Sequence, residues 1–341
     1  MSSPATAWLE RHQIPCYLAG LAAGAVVGTA WPTGGRLWEA AIYPVLGTLL
    51  YATFLQVPFT RLIAAFRDVR FLTAVLAINF VVVPVVVAAL TLPLTLSRAV
   101  LLGVLLTLLT PCIDYVIVFC GLAGGDHRRL LAAAPVLMLT QMVALPLLLW
   151  LFVGPELADI VDVGPFLEAF GVLIVVPLLL AWGTQTLAAR HRSARLGRRR
   201  ASSSRNYAAR RTRRSASAAM SAAMVPLMTA TLFVVVAGQF PKIGHQRDQV
   251  LTVVPIYAAF LLIMAVIGVA LARAFRFGPG AGRALVFTGA TRNSLVVLPL
   301  ALALPDGYAI TPVIVVTQTL VELLGMIVYV RLIPRLLPAP S

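Results

Sequence analysis

Long apolar stretches, separated by short polar segments, occupy most of the chain. None of them alternates apolar and polar residues as a membrane barrel strand does, and continuous runs of about 20 apolar residues are typical of helices that cross a bilayer. The pattern predicts ten transmembrane helices. Their ranges are 14–32, 39–57, 71–93, 98–121, 129–153, 165–188, 217–238, 250–274, 284–304 and 310–333. The twelve residues before the first span contain Glu10 and Arg11 and no long apolar run, so no cleavable signal peptide is expected.

The two halves of the chain share a short motif. Span five contains P-V-L-M-L-T-Q from Pro135 to Gln141, and span ten contains P-V-I-V-V-T-Q from Pro312 to Gln318. A repeat of five spans inverts its second copy across the membrane, which is the plan of many secondary transporters. We therefore predict an all-α fold with two inverted five-helix repeats, 1–153 and 165–334.

Two predicted spans contain unusually polar stretches, and the repeat aligns them with each other. Span four includes Leu108–Tyr115 and span nine includes Phe287–Ser294. Pro111 removes a helix hydrogen-bond donor and Gly289 permits non-helical backbone angles. Helices four and nine are therefore predicted to be broken and to cross each other at membrane depth, where such transporters bind their substrates.

The composition supports a membrane protein and excludes several other classes. Of the residues, 60% are hydrophobic and 11% are charged, and the mean hydropathy is +0.94, whereas soluble domains are about 25% charged. A soluble enzyme, a nucleic-acid-binding domain and a secreted scaffold are therefore excluded as the main body. With three cysteines there is also no disulfide framework.

The basic residues predict the orientation. With the N-terminus inside, 22 of the 27 Lys and Arg residues fall in cytoplasmic segments, four fall outside, and Arg292 lies within a span. Eleven of them lie between Arg190 and Arg214, but the bias persists without that loop. The positive-inside rule therefore predicts a multi-pass protein of the plasma membrane with both termini in the cytoplasm.

The basic loop at 189–216 is rich in Arg and Ser and poor in apolar residues, so disorder is expected. It is interpreted as a solvated cytoplasmic loop that holds the topology. Contact with anionic lipid head groups is an alternative, and a short frameshift in the gene could also produce such a run.

Three ionisable side chains lie well inside predicted spans, away from the ends, where charge is costly and usually functional. They are Asp114, Arg292 and Glu322. Asp114 and Arg292 fall one residue apart in the repeat alignment, so they are expected near the crossing, either as a structural ion pair or as a substrate or proton site. Glu322 follows Gln318 by one helical turn and shares its face. For Gln318 and its counterpart Gln141, interhelical hydrogen bonding is the simpler explanation.

Cys112 follows Pro111 directly in the first break. A buried single cysteine usually packs as a small apolar residue, although a thiolate also binds soft, thiophilic ions. No metal-ligand spacing, phosphate-binding glycine loop or catalytic triad is present, so neither a metal cofactor, an ATP-driven pump nor an enzyme is expected.

The region of the first break resembles the span-four signature of the arsenical-resistance transporters, which are arsenite permeases within the bile acid:sodium symporter superfamily. Their pattern is A-R-C-I-A-M-V-x-V-W, then L-A-x-G-D. The matching segments are Thr110-Pro111-Cys112-Ile113-Asp114-Tyr115-Val116-Ile117-Val118-Phe119 and Leu122-Ala123-Gly124-Gly125-Asp126. The stretch Phe287–Ser294 is similar to the superfamily's broken span nine. The resemblance implies ten spans, two inverted repeats and crossed helices four and nine.

The resemblance also implies roles for single residues. The family's cysteine falls on Cys112, which would bind arsenite, and its span-nine asparagine falls on Asn293. In the family pattern an arginine stands at Pro111 and an alanine at Asp114. The acid of span nine in arsenite exporters falls near Leu295.

In bile-acid-type members the sodium-binding glutamate falls near Thr288 and a glutamine falls on Arg292. A fixed cation at that place argues against a sodium site, and proton exchange is a reasonable substitute.

The main hypothesis is a secondary transporter that exports arsenite or a related trivalent arsenical by alternating access. Cys112, Asn293, Thr288 and Thr110 would bind the substrate, and Asp114, Arg292 and Glu322 would couple or gate. The rival is transport of an organic anion with Arg292 as counter-ion. A third hypothesis, from another class, is a membrane receptor or scaffold that recruits a partner through residues 190–214.

Overall fold

The computed structural model describes residues 8–9, 12–56, 68–113, 115–154, 175–197, 224–239, 241 and 246–339. In these ranges the regular structure is helical, and the β-type pairing is one isolated bridge. In chain order the helices are α1 (Gln13–Ala30), α2 (Gly35–Gln56), α3 (Val69–Ala77), α4 (Val83–Thr91), α5 (Arg98–Leu108), α6 (Val116–Leu122), α7 (His127–Val153), α8 (Val176–Gly197), α9 (Met224–Gln239), α10 (Arg247–Ala274), α11 (Pro279–Ala290), α12 (Ser294–Leu302) and α13 (Thr311–Leu336). Short 3-10 turns lie at Pro32–Gly34 and Asp306–Tyr308.

Six stretches of the described chain are long and apolar enough to cross a membrane. They coincide with predicted spans one, two, three, five, eight and ten, at Gln13–Ala30, Leu37–Leu55, Val69–Thr91, His127–Val153, Arg247–Ala274 and Asp306–Leu336. The shorter apolar helices Arg98–Leu108 and Met224–Gln239 fall within predicted spans four and seven. The first part of predicted span six, up to residue 174, lies outside the described residues. The total of ten spans and the inverted repeat remain predictions.

The chain divides into two compact units. The first unit comprises Met1–Gln56 and Phe170–Gly244, and the second comprises Val57–Ala169 and His245–Ser341. Each of the predicted five-helix repeats contributes its first two spans to the first unit and its last three to the second. The compact units are therefore a different division of the chain from the repeats.

One boundary in the first unit differs from the sequence prediction. The basic loop was expected to be disordered from residue 189, but α8 continues to Gly197. Alanine, arginine and leucine, which dominate residues 188–197, are among the strongest helix formers, so helical propensity continues the helix beyond its apolar part. The rest of the predicted loop lies outside the described residues.

Three glycines bring α1 against α9 within the first unit. They follow one another at intervals of four residues, and each one lies against the backbone of α9. A Cβ on Gly20, Gly24 or Gly28 would stand 2.8, 2.5 or 2.7 Å from the carbonyl oxygen of Thr229, Phe233 or Ala237, respectively. Small residues at this spacing permit close backbone approach, which is a common basis of helix association in membranes.

Predicted spans four and nine are interrupted in the second unit. The first interruption separates α5 from α6, and the residue before Pro111 is disfavoured in a helix because it would clash with the proline ring. The second separates α11 from α12, where Thr291 is extended and the side chain of Asn293 caps α12 by accepting the Val296 N–H at 3.3 Å. The predicted interruptions are thus present in both segments.

Gly289 has a different role from the one predicted. It lies inside α11, which continues to Ala290, so it is not the residue that breaks the helix. A Cβ at Gly289 would stand 2.5 Å from Cδ1 of Ile78 and 3.2 Å from the terminal methyl of Met264. The missing side chain therefore serves close packing of α11 and not a change in its backbone angles.

A π-helical turn at Ile78–Val82 joins α3 to α4 and presents Asn79 to the interior. Pro84 follows in the first turn of α4 and has no N–H for the carbonyl four residues earlier. The Val83 N–H instead bonds to the carbonyl of Ile78, five residues back. Single π turns often occur at functional sites, and this one faces the interrupted helices.

The beginnings of the interrupted segments are held in similar ways. Near the start of α5, the Ala99 carbonyl accepts a hydrogen bond from the Thr311 hydroxyl of α13 at 2.9 Å. Near the start of α11, the Gly280 carbonyl accepts one from the N–H of Asp126, just before α7, at 2.8 Å. Under the predicted repeat α5 corresponds to α11 and α13 to α7, so the two contacts join equivalent pairs of elements. The repeat itself stays a prediction.

Candidate functional site

The two interruptions meet backbone to backbone in the second unit. The Cys112 N–H donates to the Thr291 carbonyl at 3.2 Å, and the Asn293 N–H donates to the Thr110 carbonyl at 2.8 Å. Pro111 and Arg292 form an antiparallel bridge between these bonds. The expectation that the two breaks face each other is therefore confirmed, and the residues that form them are buried.

The guanidinium of Arg292 is fully buried beside the crossing, where oxygens from three elements accept its hydrogen bonds. Nη2 donates to Oδ1 of Asn79 at 2.8 Å and to the carbonyls of Thr288 and Gly289 at 2.7 Å each. Nη1 donates to the Leu108 carbonyl at 3.3 Å. These carbonyls belong to the last turns of α5 and α11, which lack further helical donors and carry the negative end of the helix dipole. One cation therefore satisfies two helix C-termini.

The backbone N–H and the backbone carbonyl of Arg292 are both hydrogen bonded. Its N–H donates to Oε2 of Glu322 at 2.8 Å, and its carbonyl lies 3.0 Å from the hydroxyl of Tyr115. The same hydroxyl lies 2.5 Å from Oε1 of Glu322, and Nε2 of Gln318 donates to Oε2 at 2.5 Å. Glu322, which is 1% exposed, thus links α13 to both interruptions.

A chain of polar side chains orients Gln318. The Thr319 hydroxyl donates to Oγ of Ser294 at 2.9 Å, and Ser294 donates to Oε1 of Gln318 at 2.6 Å. The amide oxygen of Gln318 therefore faces Ser294, and its amide nitrogen faces Glu322. This arrangement agrees with the hydrogen-bonding role that the sequence suggested for Gln318.

Cys112 and Thr288 line the same small cavity. Cys112 is 1% exposed, and the atom-free space around its side chain is about 180 Å³, too tight to admit a water molecule. The remaining lining residues are Ile113, Val116, Ile117, Leu130, Ala134 and Leu137. The cysteine therefore lies in an apolar environment that has no room for a water molecule.

The other predicted site residues, Thr110, Asn293 and Asp114, differ in their surroundings. Thr110 is buried, but its hydroxyl donates to its own helix, at the Leu106 carbonyl, at 2.8 Å. Asn293 is 1% exposed, and neither its Nδ2 nor Nε of Arg292 has a hydrogen-bond partner among the described residues. Asp114 lies outside the described residues, so its proposed pairing with Arg292 stays a prediction.

Sequence reasoning missed Asn79 and Tyr115. Asn79 donates to Oγ1 of Thr288 at 3.4 Å as well as accepting from Arg292. It is the one amide in predicted span three, which is otherwise mostly apolar. This signal was overlooked because only ionisable residues were sought within the spans. Tyr115 stood in the quoted motif, but no pattern in the sequence indicated that it would contact Glu322.

Among the described residues, no group of three or more His, Cys, Asp or Glu side chains is arranged to hold a metal ion. The ion pairs found in the described ranges lie away from the crossing. Arg129 contacts Asp68 at 2.6 Å and Asp126 at 3.0 Å, and all three side chains are partly exposed.

Comparison with known proteins places the chain in a family. A search of the curated proteins found no match. The model of the SBF-like CPA transporter family matches residues 29–331, which include most of each unit and both interrupted segments. The chain therefore belongs to the SBF-like CPA transporter family.

Proposed function

We propose that the protein exports arsenite, or a related trivalent arsenical, across the plasma membrane by alternating access coupled to protons. The family indicates a membrane transporter of the CPA and bile acid symporter kind, with a small-molecule substrate and a lipid environment. The substrate, the coupling ion, the cellular membrane and the cytoplasmic termini are parts of the proposal.

The position of Cys112 is the main support for an arsenical substrate. Its thiol lies in the first interruption, beside Thr288 of the second segment, in an almost dry apolar cavity. Soft thiolate ligands suit thiophilic ions. When the thiol binds arsenous acid, an arsenic–sulfur bond forms, one arsenic–oxygen bond breaks, and the hydroxyl leaves with the thiol proton as water.

The closed cavity and the unpaired amide support the same proposal. Since the cavity does not admit water, substrate reaches Cys112 only when the helices rearrange, as alternating access requires. Within the described part of the chain the Nδ2 group of Asn293 has no partner, and a buried donor without an acceptor is costly. An arsenic-bound hydroxyl would supply the missing acceptor.

Replacement of Cys112 by serine is expected to abolish export. In arsenite-sensitive bacteria, the wild type should lower cell-associated arsenic relative to an empty vector, whereas Cys112→Ser should not, because a hydroxyl is a poor ligand for a soft ion. The measurement is total cellular arsenic after exposure to arsenite, with membrane expression checked for each variant.

Cys120→Ser is the matched control, because Cys120 is equally buried but lies in α6, beyond the interruption. It should export like the wild type. If a well-expressed wild type accumulates as much arsenic as the empty vector, arsenite is not the substrate. If Cys112→Ser exports normally, the thiol is not the ligand.

An organic anion is the second candidate, favoured by one observation. Arg292 is a buried cation at the crossing, and its Nε–H donor has no acceptor in the ranges that the structure describes. Its other described hydrogen bonds, however, go to four protein oxygens. An uptake screen of labelled carboxylates in proteoliposomes distinguishes the two, since Cys112→Ser should leave anion transport almost unchanged.

A further inference from the structure

We infer that Glu322 is the proton-binding residue of this transporter and that Tyr115 is its hydrogen-bond partner in the protonated state. The inference rests on the proposed proton-coupled transport and names the site of coupling.

The hydroxyl of Tyr115 makes two contacts that each require a hydrogen. It lies 2.5 Å from Oε1 of Glu322 and 3.0 Å from the carbonyl of Arg292. An ionised carboxylate and a carbonyl are both acceptors only, and a tyrosine hydroxyl has one hydrogen to donate. If Glu322 is ionised, the two acceptors must share one hydrogen, whereas a proton on Glu322 gives each contact a hydrogen of its own.

The other carboxyl oxygen is already occupied by two donors. Oε2 of Glu322 accepts from the N–H of Arg292 at 2.8 Å and from Nε2 of Gln318 at 2.5 Å. The amide of Gln318 cannot turn over without losing its bond from Ser294. The proton therefore belongs on Oε1, from which it points to Tyr115, while Tyr115 donates to the Arg292 carbonyl.

Loss of this proton changes the crossing directly. The hydroxyl of Tyr115 turns to the ionised Oε1, and the carbonyl of Arg292 loses that donor. No bond between heavy atoms forms or breaks, and the proton passes to water on the side to which the site opens. Protonation of Glu322 in α13 is thus linked to the backbone of the second interruption, which is the segment that would line the substrate path.

Among the described residues, the surroundings leave Glu322 as the group suited to this exchange. The titratable and charged side chains that face it, or that stand on the helices packed against α13, include Tyr115, Cys112, Arg292, Tyr329, Tyr257, Arg283, Arg98 and, at the start of α10, Asp248. Tyrosine, cysteine and arginine ordinarily titrate above neutral pH. Asp248 lies in the first turn of α10, whereas Glu322 contacts both interruptions.

The first test needs no substrate. Thermal unfolding of the purified protein in detergent is followed between about pH 5.5 and 8.5 for the wild type and for Glu322→Gln. The wild-type Tm should fall by about 2–4 °C as the pH rises, the shift expected for one lost buried hydrogen bond. Glu322→Gln should remove that component, since its amide donates to Tyr115 at every pH.

Two tyrosine variants complete this measurement. Tyr115→Phe removes the hydroxyl and should also flatten the pH dependence. Tyr329→Phe is the matched control, because Tyr329 is buried on the same helix but its hydroxyl bonds to the Leu261 carbonyl. It should keep the wild-type dependence. Asp114→Asn, a change in the other candidate acid, should keep it too.

The second test measures coupling in proteoliposomes. The wild type should move arsenite in response to a pH gradient. Glu322→Gln should retain arsenite exchange, but its gradient-driven rate should be at least about tenfold lower than that of the wild type. If Glu322→Gln keeps the wild-type pH response in either test, or if only Asp114→Asn loses it, the inference is wrong.

Misfolding and a wrong substrate give separate results. If Glu322→Gln does not fold, Tyr115→Phe decides, and a wild-type pH dependence in that variant overturns the inference. If the wild type fails to move arsenite, the proposed substrate is wrong, while the thermal measurement still supports or overturns the proton site.

Discussion

Arg292→Ala is expected to lower the free energy of unfolding by at least about 4 kcal/mol, the largest effect of any single substitution considered for this protein. The guanidinium donates to four buried oxygens. Each buried polar group that loses its partner costs about 1–3 kcal/mol. Three of these oxygens are helix-terminal carbonyls that have no other described donor, so the link that the side chain makes between α5 and α11 should be lost, while the backbone bonds of the crossing remain.

Thermal unfolding in detergent measures this effect, and a fall in Tm of about 10 °C is expected. Arg292→Lys keeps the charge but cannot reach all four acceptors in the same fixed geometry, so its Tm should lie between those of the wild type and the alanine variant. Arg129→Ala is the control, because that side chain is 42% exposed and its ion pairs should contribute less than about 1 kcal/mol. An Arg292→Ala protein that melts within a degree of the wild type would show that the buried bonds contribute nothing.

This expectation also changes how transport data on Arg292 are interpreted. An inactive Arg292→Ala variant would not by itself indicate an anion counter-ion, because destabilisation of the crossing has the same consequence. Transport should therefore be compared only between variants whose unfolding temperatures are similar.

Gly24→Ala should destabilise the first unit by about 1–3 kcal/mol. The new Cβ would stand 2.5 Å from the Phe233 carbonyl oxygen and 3.1 Å from Cβ of Val236. Because the closest atom belongs to the backbone, it cannot move aside as a flexible side chain could, and α1 must separate from α9.

Gly47→Ala is the matched control for this variant. Gly47 lies in α2 of the same unit, and a Cβ there would meet no atom within 4 Å. Alanine favours a helix over glycine by up to about 1 kcal/mol, so this variant should be neutral or slightly more stable. Thermal unfolding of the two proteins decides the question, and equal Tm values would mean that the glycine contact is not required.

Apolar runs and helix-breaking residues in the sequence determined much of the second unit. The cost of unpaired backbone groups in lipid makes long apolar segments helical whatever their neighbours are, and α3, α7, α10 and α13 lie where the pattern predicted spans. Pro111 acts locally on the chain that precedes it. The spacing of Gln318 and Glu322 likewise predicted a shared helix face, and they are hydrogen bonded.

The partners of those residues depended on the tertiary structure. Asn79 bonds to Arg292 from a π turn more than two hundred residues away, and Gly289 proved to be a packing residue because Ile78 happens to lie against it. Periodicity and propensity describe interactions within a few turns of one element, so they hold no information on such distant contacts.

The sequence by itself thus determined a helical membrane chain, its two interrupted segments and the polar residues near them. Only the tertiary structure decided that Arg292 is bound by helix-terminal carbonyls, that Tyr115 stands between Glu322 and the second interruption, and that Cys112 shares a cavity with Thr288. The physical reason is that charge and hydrogen-bonding capacity belong to single residues, whereas the pairing of donors with acceptors depends on how distant helices pack.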